Sequence, residues 1–178
     1  MRIEDIFNNG KFIGSLAGTE TFGIRLSIVL PGFVKSTELF INQIPSQNLN
    51  TKIYLRLESL VNTLINISTE LQNQIWKELW DKYIFTCEET EPFERFDSED
   101  IKSMNIKYYG IEDIKKLKEV TKILSIDTAL QINDDTYNDE FANNELSWNI
   151  NFGANWIGDG FIRISINSNK ILNCELHN

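Results

Sequence analysis

From Thr21 the chain alternates Phe22, Ile24, Leu26, Ile28 and Leu30 on one side against Gly23, Arg25 and Ser27 on the other, until Pro31-Gly32 stops it. Period two with one apolar side is the pattern of a half-buried strand. Phe12 to Leu16 before it and Glu38 to Asn42 after it read as neighbouring strands, with Pro45 ending the run. The opening third is therefore expected to be β.

The period then changes. Leu57, Leu60, Val61, Leu64 and Ile65 recur at three-and-four spacing, and the pattern returns in Leu71, Ile75, Trp76, Leu79, Trp80, Tyr83 and Ile84. Each is one face of a helix. Thr69 with Gln72 supplies a capping-box start for the second, so the pair is expected as an αα-hairpin. Trp76 and Trp80 share their face with Leu79, Tyr83 and Ile84, which assigns them to the core rather than to a binding stripe. A third helix is expected from Ile111 to Ile123, with Glu112 and Asp113 near its start and Lys115, Lys116, Lys118 and Lys122 further along, as the macrodipole favours.

The last fifty residues alternate again, in Ile126 to Ile132, Leu146 to Phe152, Ile162 to Ile166 and Leu172 to Leu176. Asn167 to Lys170 joins the last two as a hairpin, and Gly158-Asp159-Gly160 marks the turn before it. Strands, then helices, then strands, without regular βαβ alternation, give an α+β fold. Its expected form is a largely antiparallel β-sheet from N- and C-terminal strands, with the αα-hairpin and third helix packed on one face. The length of 178 residues fits a single domain over 1–178.

Composition narrows the function. Met1 to Gly10 carries Glu4 and Asp5 and no apolar run of signal-peptide length. No stretch approaches the roughly 20 apolar residues of a membrane helix, so a cytoplasmic protein is expected. The two cysteines, Cys87 and Cys174, have no metal-binding or redox spacing and read as small apolar fillers. The single histidine, His177, leaves the chain short of the usual general base and transition-metal ligand. A net charge of −9 disfavours direct nucleic-acid binding and attracts basic macromolecules, although it also serves solubility alone.

No phosphate-binding glycine loop, nucleophile elbow, zinc-protease motif or paired Cys-x-x-Cys occurs. Carboxylates alone support glycosidase-type chemistry only when fixed about 5 to 9.5 Å apart in a cleft, which a charge-dense loop does not suggest. A protein without catalytic residues, metal or cofactor is expected. The strongest binding signal is the run Glu88, Glu89, Glu91, Glu94, Asp97, Glu99 and Asp100, interleaved with Pro92, Phe93 and Phe96. Aromatic anchors ringed by charge suit a basic protein partner, the bland alternative being a solvated loop with its phenylalanines tucked inward. A second acidic run holds Asp134, Asp135, Asp139 and Glu140, which lack the spacing and glycine of an EF-hand. Trp156, between Gly153 and Gly158, is expected at the rim of a concave sheet.

The helical pair Leu57 to Phe85, the helix from Ile111 to Lys122 leading into Ile126 to Ile132, and Trp156-Ile157-Gly158-Asp159-Gly160 running into a final hairpin carry a likeness. The last two thirds of the chain resemble a group of small bacterial domains of unassigned function. Members of that group occur among the immunity proteins of polymorphic toxin and contact-dependent growth inhibition systems. In the group's pattern a tryptophan is followed by an acidic pair, histidine and glycine; this chain keeps the tryptophan, an acid and the glycine and lacks the histidine. The resemblance implies an immunity protein that neutralises one cognate toxin domain by stoichiometric inhibition. Many such toxins are basic nucleases, so an acidic inhibitor is physically apt. Two other readings stay open: a non-enzymatic adaptor or self-assembling interaction module, and a weak carboxylate enzyme.

Overall fold

The computed structural model describes residues 1–13, 21–33, 35–45, 51–90, 100–129, 147–167 and 169–177. The described elements run α1 (Ile3–Asn9), β1 (Lys11–Ile13), β2 (Thr21–Ile28), β3 (Thr37–Pro45), α2 (Thr51–Ile65), α3 (Thr69–Glu89), α4 (Ile101–Tyr109), α5 (Ile114–Val120), β4 (Lys122–Ala129), β5 (Ser147–Gly153), β6 (Phe161–Asn167) and β7 (Lys170–His177). A 3₁₀ turn, Asn155–Ile157, joins β5 to β6. The fold is α+β, as the change of period predicts.

The strands form one seven-stranded sheet in the order β1-β2-β3-β4-β5-β6-β7. Every neighbouring pair is antiparallel except β3 and β4, which are parallel. A parallel pair needs a long crossover, and the helices α2 to α5 supply it. Register aligns one apolar row across six strands: Leu26, Leu39, Ile126, Ile150, Ile164 and Cys174. The first five of these are at most 1% exposed. Leu57, Leu60, Val61 and Leu64 of α2, with Leu71, Ile75, Leu79 and Tyr83 of α3, belong to the same buried cluster.

Local signals explain several boundaries that differ from expectation. α3 is capped by Ser68, whose hydroxyl accepts the Leu71 N–H at 3.1 Å, while the Gln72 amide donates back to the Ile67 carbonyl at 3.0 Å. The cap therefore lies one residue before Thr69. The helix expected over Ile111–Ile123 is shorter at both ends. Asp113 caps α5 by accepting the Lys116 N–H at 2.7 Å, and Lys122 and Ile123 pair with Gly153 and Phe152 as the start of β4. Tertiary pairing overrides the helical pattern there.

Two helices, α1 and α4, lie where the sequence pattern indicated none. α1 buries only Ile6, and its end approaches β2 so closely that a Cβ on Gly10 would stand 2.5 Å from Ile24 Cγ2. α4 begins at Asp100, whose side chain accepts the Ser103 N–H at 2.9 Å. It ends at Gly110, held at φ 65°, a conformation glycine adopts without strain. Of the strand expected over Ile126–Ile132, the part beyond Ala129 lies outside the described residues.

Candidate functional site

The two faces of the sheet differ in chemistry. On the face away from the core, Arg25, Phe40, Asp127, Asn149, Ser165 and Asn173 align in register, with Ser125, Asn151, Arg163 and Glu175 beside them. Asn151 is the hub: its amide donates to Asp127 Oδ2 at 2.5 Å and to Ser125 Oγ at 2.8 Å, and its carbonyl accepts from Arg163 Nε at 3.0 Å. Ser165 donates to Asn149 Oδ1 at 2.7 Å. The Arg25 guanidinium lies 4.9 Å from the Phe40 ring centroid and bridges to Glu38 at 3.8 Å. Arg25 is paired with Glu38 and the hub's hydrogen bonds are made, as in a self-satisfied polar surface.

A different arrangement occurs where α3, α4 and β7 end. A cavity of about 580 Å³ opens there, lined among the described residues by Thr86, Thr90, Tyr108, Tyr109, Asn155, Trp156, Ile157, Gly158 and Leu176. Its walls are aromatic. Tyr108 and Tyr109 stand edge to face with centroids 5.1 Å apart, and Trp156 packs edge-on against Tyr83 at 5.3 Å. Tyr108 is 68% exposed and Leu176 41%, so part of the wall is open to solvent.

Beneath the wall sits a small buried polar group. Among the described residues Trp156 Nε1 has no hydrogen-bond partner, and the Tyr83 hydroxyl lies against the Cys87 thiol. Burial, with the neighbouring Cys87 thiol adding to it, pushes the Tyr83 hydroxyl far above its ordinary range. Burial likewise raises the Cys87 thiol, against the opposing pull of Tyr83. Both groups are held in their protonated, uncharged forms. Above them, the Asn105 amide donates at 2.8 Å to the carbonyls of Cys87 and Thr90, fixing the end of α3 to α4.

The residues singled out from sequence fall into three groups. Glu88 and Glu89 occupy the last turn of α3 and Asp100 the cap of α4. Glu88 pairs with Lys102 at 2.8 Å, and Asp100 is engaged with Ser103, so both have structural work. Trp156 is 3% exposed; it is a buried wall of the cavity rather than an open rim residue, because the 3₁₀ turn folds its ring onto Tyr83. Glu91, Phe93, Glu94, Phe96, Asp97, Glu99, Asp134, Asp135, Asp139 and Glu140 lie outside the described residues.

The cavity itself was hidden from sequence reasoning. The Tyr108-Tyr109 pair before Gly110 was a usable signal, since adjacent aromatics cannot both face one core from a helix. Leu176 was not separable from an ordinary strand position. Among the described residues no group of three or more His, Cys, Asp or Glu side chains is arranged to hold a metal ion, and no helix is long and apolar enough to cross a membrane. No family model, curated protein or solved structure gives a significant match to the chain.

Proposed function

We propose that this chain is an immunity protein that binds a cognate basic toxin domain, of the nuclease kind, and blocks it stoichiometrically. The carrying observation is the aromatic cavity lined by Thr86, Thr90, Tyr108, Tyr109, Trp156 and Leu176, with Thr90 followed directly in the sequence by the acidic run 91–99. Apolar anchoring sites next to like-signed charge are what a protein interface needs for affinity and steering together. The net charge of −9 speeds encounter with a cationic partner.

The test is capture of partners by the tagged protein from its native host, repeated at high salt. A single basic polypeptide recovered in equal stoichiometry, with affinity falling as salt rises, is the expected outcome. Charge reversal at Glu91, Glu94 and Asp97 should weaken it by at least about tenfold. Recovery of no basic partner would sink the reading.

The outer edge of β7 favours the second reading, a self-assembling or adaptor module. No described strand pairs with that edge, and Leu172 beside it is 63% exposed. An antiparallel copy centred on Cys174 would set Leu172 against the partner's Leu176, an apolar contact that open edges invite. A mass that doubles with concentration, and returns to monomer in Leu172→Lys, would favour this alternative.

A further inference from the structure

We propose that Asn173, together with a bulge at Leu172, is a guard that keeps the open edge of β7 from pairing with a second copy of this chain. This device is separate from the binding role above: it governs what the outer edge of β7 does not bind.

A sheet that does not close has two edges, each with a row of backbone N–H and C=O groups that can template another strand. Among the described strands the edges are β1 and β7. β1 is three residues long, and a very short edge strand is itself a protection. β7 is eight residues long, and Leu172 and Leu176 on it are 63% and 41% exposed. A long edge strand with exposed leucines recruits a copy of itself unless something stops it.

Two devices sit in the middle of this edge. The Cys174 backbone N–H donates to Asn173 Oδ1 at 2.9 Å, and the Asn173 amide donates in turn to Glu175 Oε1 at 2.6 Å. The bond to Cys174 is exposed, which puts this N–H on the open side of β7 rather than in the ladder with β6. The donor that an incoming strand needs is therefore already taken, by a side chain that Glu175 holds in place. The second device lies one residue earlier. Ser165 pairs with Asn173 and Ile166 with Ile171, so Leu172 is an extra residue in the edge strand. Such a bulge bends the strand and interrupts the row of groups that a partner strand has to match.

An antiparallel copy centred on Cys174 meets both devices twice, because a two-fold contact repeats every element. Each chain has to release Asn173 from Cys174 before that N–H can serve a new rung, and Glu175 then loses its amide partner. Charge opposes the same approach, since each copy carries −9.

The experiment is sedimentation equilibrium over a range of concentrations for the native chain, Asn173→Ala, and Asn173→Ala combined with Leu172→Lys, with exchange of the Cys174 amide followed by nuclear magnetic resonance. Asn173 is exposed, so its truncation leaves the core intact. The alanine variant should dimerise at a concentration at least about tenfold below any at which the native chain does, since one hydrogen bond per copy no longer has to be broken. In dilute solution its Cys174 amide should exchange about three- to tenfold faster than in the native chain, and the same amide should become protected as the dimer forms. Adding Leu172→Lys should restore the monomer. Equal self-association of the native chain and Asn173→Ala, unchanged exchange at Cys174, or a dimer that leaves this amide unprotected would overturn the proposal. A native chain that already pairs through β7 at the concentrations of the variant would overturn it in favour of the self-assembling module.

Discussion

Cys87 and Cys174 show how burial sets reactivity one residue at a time. Cys87 is fully buried. Cys174 is half-buried on β7, and burial, partly offset by Lys82, pushes its thiol up to about 11. At pH 8 a thiol of that pKa is ionised to roughly one part in a thousand, against about a quarter for a free cysteine. Alkylation of the folded protein by iodoacetamide at pH 8 should therefore be about two orders of magnitude slower than that of free cysteine, and should become fast for both thiols in denaturant. Quantitative labelling of Cys174 in the native state at the free-cysteine rate would contradict the packing of α3 on β7. The sequence reading of both cysteines as apolar fillers rested on spacing alone; what places Cys174 at the end of the apolar cross-strand row is register, which spacing cannot give.

At the scale of elements, caps explain the helix boundaries better than periodicity does. Asp100 starts α4, and the Ser103 backbone N–H, with the Ser103 hydroxyl second, holds its carboxyl below the usual carboxylate range. A depressed folded pKa adds stability that is fully present above the ordinary carboxylate pKa and is lost as pH falls through the depressed value. Asp100→Asn keeps a capping oxygen at every pH. The melting temperature of the variant relative to the native chain should thus rise progressively as pH drops through the acid range, and a constant difference would show that folding does not depress the Asp100 pKa. α4 escaped the hydrophobic pattern because its inward position at Asn105 is polar: Asn105 is 3% exposed and serves the orphan carbonyls of α3. Helix length suffered the opposite error over Ile111–Ile123, where an apolar and basic sequence continued past the point at which β4 takes the chain.

For the whole molecule, the row from Leu26 to Cys174 couples six of the seven strands into one buried surface. Ile150 lies in its middle at 0% exposure. Ile150→Ala should cost about 2–5 kcal/mol, the range for a buried aliphatic truncation, read as a shift of the urea midpoint with little change in slope. A loss under about 1 kcal/mol would mean that the sheet and helix layers are not packed as one core. The parallel pairing of β3 with β4 is also a whole-molecule property. It places the segment 46–121, with its helices, as a single crossover, and it is this crossover that brings the ends of α3 and α4 beside the last strand.

The sequence by itself determined the alternation of β2, β5, β6 and β7, the apolar stripes of α2 and α3, and hence an α+β class with a mainly antiparallel sheet. These follow from side-chain period, which is a local property of the chain. Charge and residue inventory are equally local, and they direct attention to a basic partner and away from histidine- or metal-dependent chemistry. Tertiary structure alone decided the strand order, the parallel β3–β4 contact and the burial of Trp156. It also assembled the cavity from Tyr108, Trp156 and Leu176, residues far apart in the chain whose proximity depends on how the crossover returns to the sheet. Pairing partners and helix-end encounters are long-range choices among many patterns of similar local energy, so only the packed molecule selects them.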